Sequence, residues 1–184
     1  YVLMLTESGK ATAIAIDSTM GAPFEKQVSG IQTIRHNLIA QRYTASMLND
    51  KTQNYVDYLP EAMTREQSTA DKKQPDVVML TSDGDRHAIE IELSPKSKKT
   101  GALPRAFLSV LSGLVRNEYA LVAYIFGSDT HRENYESVWS SGRLEKWEQA
   151  GSRWVFTEKH YKIEPAYAVK VIFLQDDLLI GDLV

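Results

Sequence analysis

Residues 74–96 read QPDVVMLTSDGDRHAIEIELSPK, and the folding of this stretch decides the architecture of the chain. Two apolar runs, Val77 to Leu80 and Ala88 to Leu93, flank Ser82-Asp83-Gly84-Asp85, which predicts a strand, a turn and a strand. In the second run Ile89, Ile91 and Leu93 alternate with Glu90 and Glu92, so the two acids share one face. Asp76 follows Pro75, which holds the approach to the first strand extended. A fully buried hairpin has no packing reason to carry three carboxylates turned the same way. Two readings follow: the acids hold a cation, or they are the wet face of an edge hairpin.

Working outward, Gly30 to Leu48 has helical spacing, with Ile31, Ile34, Leu38, Ala45 and Leu48 as the expected apolar stripe. On the same helix His36, Ala40, Tyr43 and Met47 line another side. Residues 53–60 predict a strand, and 61–74 a loop or short helix. Downstream of the hairpin, 102–117 is the clearest helix, with Leu103, Phe107, Val110, Leu111 and Leu114 as its buried stripe. Arg105, Ser109, Ser112 and Arg116 occupy another face. Leu121 to Phe126 is a continuous apolar run, as a central strand requires. Residues 130–150 are expected to be helical, and Arg153–Ile163 and Ala168–Leu174 to be strands. Residues 2–6 and 11–16 predict a hairpin ahead of all this. The sum is a mixed α/β fold in a single domain spanning 1–184.

The 184 residues suffice for a sizeable core, and 43% hydrophobic with 24% charged residues describes a globular chain. No apolar run reaches the roughly 18–20 residues that a membrane span needs, and no leader pattern opens the chain. With no cysteine there are neither disulfides nor thiolate metal sites, which fits a reducing, cytoplasmic setting. The four histidines are scattered, with no pair at metal-ligand spacing. A net charge of -3 excludes a uniformly basic nucleic-acid coat. Charge is nonetheless uneven: residues 86–116 carry Arg86, Lys96, Lys98, Lys99, Arg105 and Arg116 against Glu90 and Glu92, and residues 164–184 are acidic. The chain opens on Tyr1, which suggests a piece of a longer protein.

Hard divalent cations take oxygen ligands and need only two or three carboxylates when water and phosphate supply the rest. Asp76, Glu90 and Glu92 are therefore candidate ligands for Mg2+ or Mn2+, and Lys96, Lys98 and Lys99 stand where a phosphate backbone would pass. Arg105 and Arg116 are candidate phosphate contacts of the kind that position a backbone without reading sequence. Trp139, Trp147 and Trp154 are assigned to packing, with stacking on unpaired bases as the lesser reading.

At these residues the sequence resembles a family. Pro75-Asp76, then Glu90-Ile91-Glu92 after a gap of 13 residues, is similar to the PD-(D/E)xK nuclease superfamily. More narrowly, the stretch from Ile34-Arg35-His36-Asn37-Leu38 to Phe126 resembles the nuclease-like domain of replication-relaxation proteins and MobC-type plasmid mobilisation relaxases. The resemblance implies a restriction-endonuclease-like core, a mixed sheet in the order αβββαβ flanked by helices, with a DNA-binding segment upstream of Tyr1. It implies a metal-dependent DNA endonuclease of the nicking or relaxase type, acting in plasmid mobilisation or conjugation in a bacterial cytoplasm. DNA and accessory mobilisation or coupling proteins would be its partners, Mg2+ or Mn2+ its cofactor. Asp76, Glu90, Glu92, Lys96 and His36 would form the catalytic set. The superfamily's lysine falls at position 92, where this chain has Glu92, and Lys96 is the nearby replacement. That substitution equally fits a non-catalytic DNA-binding module that keeps the fold. A restriction or repair nuclease sharing only the core is a third reading, and a tyrosine nucleophile is open.

Overall fold

A computed structural model describes residues 31–61 and 74–175. Apart from the first turn of one helix, these belong to the second of two compact units, 1–34 and 35–184. The elements, numbered in chain order, are α1 (Ile31–Asn49), β1 (Tyr55–Pro60), β2 (Val77–Thr81), β3 (Arg86–Glu92), α2 (Ala102–Val115) and β4 (Leu121–Phe126). They continue with α3 (Asp129–Ser140), β5 (Arg143–Ala150), β6 (Arg153–Lys162), α4 (Pro165–Ala168) and β7 (Val171–Gln175). The expected hairpin at 2–6 and 11–16, most of the 61–74 loop and the acidic end of the chain lie outside the described residues.

Five strands form one mixed sheet in the order β1-β2-β3-β4-β7. β1, β2 and β3 run antiparallel as a meander, Val77 facing Ile89 and Met79 facing His87. β3 then pairs in parallel with β4, and β4 with β7. A parallel step needs a crossover, and α2 supplies the one between β3 and β4. Gly84, at φ +87, makes the β2–β3 turn that Asp83-Gly84 predicts. The helix, three strands, helix and strand expected from the sequence are thus all present, and the assignment to a mixed α/β class holds.

Helices cover both faces of the sheet. One face packs Val77, Met79, Ile89, Ile91, Ala123 and Ile125 against Ile39, Ala40 and Tyr43 of α1. The other packs Ala88, Val122, Tyr124 and Phe126 against α2 and α3 residues, with Phe107, Tyr135 and Trp139 among them. Covered on both sides, β4 is buried along nearly its whole length, which is why it reads as an unbroken apolar run.

Three expectations need correction. The buried side of α1 is not the stripe through Leu38 and Ala45, both of which are exposed; Ile39, Ala40, Tyr43 and Thr44 are buried instead. A stripe at 36, 40, 43 and 47 advances as a helix does, so the side containing His36 faces the sheet. The helix expected over 130–150 stops at Ser140, because Gly142 turns the backbone to φ +69. Residues 143–150 are then the strand β5, paired antiparallel with β6 in a two-stranded sheet of its own. Val171–Gln175 is a strand as expected, but Pro165–Ala168 ahead of it forms one helical turn.

Candidate functional site

β3 is the middle strand of the sheet, so its alternating side chains meet protein on both faces. Ile89 and Ile91 turn to the α1 side; Glu90 and Glu92 turn to the α2 side, only 4% and 5% exposed. The wet-face reading of these acids is therefore overturned: an edge hairpin would leave them in water. Two carboxylates at this depth carry a large desolvation cost and persist as anions only where cations or donors face them.

Asp76 immediately precedes β2, beside the last residues of β3. Its Oδ2 accepts the backbone N–H of Ile91 at 2.6 Å, which ties the mouth of β2 to β3. His36, reaching over from α1, places Nε2 3.2 Å from the same oxygen and 3.2 Å from the Ile91 carbonyl oxygen. The hydrogen bond to Asp76 is the main reason that the His36 imidazole is raised to about 8, against the opposing effect of burial. At neutral pH it is a cation.

On the other side of the strand end, the Lys96 ammonium is hydrogen-bonded to Glu92 Oε1. The loop after β3 is held so that this is feasible, because the Lys96 backbone N–H donates to the Tyr135 hydroxyl at 3.0 Å. Tyr135 is fully buried on α3, and its phenol is pushed up by burial first and by the Glu92 charge second. Tyr124 stands opposite Glu90 in the parallel register of β3 and β4. Its hydroxyl is buried without a hydrogen-bond partner, and its phenol is pushed well up by burial and then by the charges of Glu90 and Glu92. Burial thus favours the protonated phenol at both positions.

The structure thus pairs Asp76 with His36 at the Ile91 backbone and Glu92 with Lys96 after the end of β3, and buries Glu90 on the same side of the strand as Glu92. It adds Tyr124 and Tyr135, which the sequence analysis missed. Tyr124 hides inside an apolar run, and only the β3–β4 register reveals that it faces Glu90. Tyr135 is separated from Lys96 by 39 positions, with no local signal.

The remaining basic residues are spread out. Lys98 and Lys99 are exposed on the loop before α2, Lys98 within 3.2 Å of the Ser137 hydroxyl. Arg105 lays its guanidinium 3.8 Å over the Trp154 ring and donates to the Gly101 carbonyl. Arg116 caps the far end of α2 and pairs with Glu118. Eleven residues of helix put Arg105 and Arg116 about 16 Å apart along the axis, so they do not serve one phosphate.

The donor chemistry of the three carboxylates suits a hard divalent cation, and the unpartnered Tyr124 hydroxyl beside them is a group that a ligand or its water would satisfy. Among the described residues, however, no group of three or more acids and histidines is already gathered closely enough to hold an ion. Two of the acids instead face cations of the protein itself, His36 and Lys96. Also among the described residues, no helix is long and apolar enough to cross a membrane. Compared with protein-family models, with curated proteins and with solved structures, the chain matches none.

Proposed function

We propose that this chain is a metal-dependent DNA endonuclease domain of the nicking type, as its resemblance to mobilisation relaxases implies. The single observation that carries the reading is the depth of Glu90 and Glu92 on the central strand, next to Asp76. Folding does not bury two carboxylates without a return, and cation binding at a phosphate is the return their chemistry suits best.

Asp76, Glu90 and Glu92 would hold Mg2+ or Mn2+. Bound there, such an ion supplies charge neutralisation at the phosphate and an acidified water. His36, 3.2 Å from Asp76 Oδ2, would hold that carboxylate in place. Lys96 screens Glu92 and is the residue placed to follow the charge onto a phosphate oxygen. DNA is the proposed polymer because exposed lysines, Lys98 and Lys99, continue the loop that starts at this site.

A second reading has its own observation. Glu92 stands where the superfamily has lysine, and Lys96 and His36 already neutralise two of the acids. A module that binds DNA without cutting it would look like this, its acids retained as a structural ion-pair network. Titration with Mn2+, followed by electron paramagnetic resonance, separates the two. The endonuclease reading expects saturable Mn2+ binding that Glu90→Gln largely removes while the fold survives. Mn2+ binding that is absent, or the same in Glu90→Gln, supports the module.

A further inference from the structure

Three rings on β4 and β7 lie roughly face to face. Tyr124 stacks on Phe126 at 6.2 Å with the planes 19° apart, and on Phe173 at 5.8 Å with the planes 14° apart. Phe107 of α2 and Tyr135 of α3 close on the same ring edge-on, at 5.6 and 5.7 Å. Contacts on so many sides fix the ring, and Tyr124 is 0% exposed. This packing asks for no hydroxyl, since both stacked neighbours are phenylalanines. Tyr124 nonetheless carries one, buried and without a hydrogen-bond partner, a loss that phenylalanine would avoid.

The hydroxyl sits in the field of the acids. Tyr124 is beside Glu90 in the parallel register of β3 and β4, and adjacent strands lie about 4.8 Å apart. Glu92, two residues on, turns to the same face. After burial itself, the charges of Glu90 and then Glu92 do most to push the Tyr124 phenol up, ahead of Tyr135 and Asp76. Tyr135 meets the same acids differently. Its hydroxyl accepts the Lys96 backbone N–H at 3.0 Å and is hydrogen-bonded to Glu92. Of two buried phenols beside these carboxylates, the protein engages one and leaves the other open.

We propose that the Tyr124 hydroxyl is a positioning group for a divalent cation held at Glu90 and Glu92, accepting a hydrogen bond from a water on the ion and donating one to the Glu90 carboxylate. The proposal rests on the reading of the acids as a cation site and adds to it a residue from the neighbouring strand. Mg2+ and the similar Mn2+ keep several waters when bound, and such waters are hydrogen donors that need acceptors. A protonated phenol has both capacities: its oxygen accepts while its own hydrogen goes to an acid. A lone buried water would also satisfy the hydroxyl, but with or without the ion. That difference is measurable.

The test compares wild type with Tyr124→Phe by thermal melts in EDTA and by Mn2+ titration followed by electron paramagnetic resonance, with no DNA and no turnover. In EDTA, Tyr124→Phe is expected to melt at or above the wild-type temperature, because it discards a hydroxyl that has no partner. It is expected to bind Mn2+ about 10- to 100-fold more weakly, and to gain correspondingly less Tm from the ion. A Tyr124→Phe variant that melts below wild type or fails to fold in EDTA overturns the proposal, because the hydroxyl is then bonded within the protein or to a resident water. Unchanged Mn2+ affinity in folded Tyr124→Phe also overturns it, and leaves the cation reading standing where Glu90→Gln loses the ion. A wild type that binds no Mn2+ removes the cation reading and this role of Tyr124 together.

Discussion

Asp76 Oδ2 takes the Ile91 backbone N–H at 2.6 Å and faces His36 Nε2 at 3.2 Å, so one carboxylate oxygen joins β2, β3 and α1. A residue that the sequence makes a candidate metal ligand is a structural pin. Asp76→Ala removes the acceptor for a partly buried amide and leaves His36 without its carboxylate. We expect a loss of about 1–3 kcal/mol, or several degrees in Tm. Thermal melts check it, and a Tm equal to wild type contradicts the pinning role.

The His36–Asp76 pair sets a pH dependence. The folded-state value for His36, about 8, lies above its ordinary 6.5. The stabilisation is fully present below pH 6.5 and is lost as pH rises through 8, amounting to about 1–2 kcal/mol. Urea melts from pH 6 to pH 9 should show wild-type stability falling over this window relative to His36→Gln. Parallel pH profiles for the two proteins contradict the pair.

Lys96 and Glu92 form the second neutralised acid of the site. Lys96→Met leaves the Glu92 charge buried, whereas the double variant Lys96→Met with Glu92→Gln removes the charge too. The single variant is expected to be the less stable of the two, by about 1–3 kcal/mol. Chemical denaturation of the four proteins of the cycle measures the difference. Equal stability of single and double variants contradicts a buried pair.

Gly101 tests the seat of the β5–β6 ribbon. Its φ of +70 disfavours any side chain, and an added Cβ would meet the Trp147 ring at 2.2 Å. Gly101→Ala forces the ring to shift and is expected to cost about 1–3 kcal/mol and to change the Trp147 fluorescence. An unperturbed emission spectrum with an unchanged Tm contradicts the contact.

Much of the fold was legible because its signals are local. The turn at Gly84, the alternation in β3 and the apolar run of β4 each follow from side-chain period and burial. The α1 stripe was misassigned because Leu38 is apolar yet 45% exposed, while buried Thr44 satisfies its hydroxyl on the Ala40 carbonyl and so behaves as core. β5 was missed because RLEKWEQA has helical composition; its strand state comes from pairing with β6, which is tertiary. At the site, the acids, Lys96 and His36 were visible as residue types at suggestive spacings. That Glu90 and Glu92 are buried rather than wet depends on β3 lying between β2 and β4, and no local pattern carries strand order. Tyr124, Tyr135 and the Arg105–Trp154 stack arise from long-range register and were invisible for the same reason.

The central claim is that Glu90, with Asp76 and Glu92, acts on a phosphodiester. Its most direct test is conversion of supercoiled plasmid carrying a candidate transfer origin to the open-circular form, with Mg2+ or Mn2+, by wild type and Glu90→Gln. The account predicts metal-dependent nicking by the wild type that disappears in EDTA and in the folded Glu90→Gln variant. A folded wild type that binds this DNA and leaves it supercoiled with either ion, or a Glu90→Gln variant that nicks as fast, contradicts it.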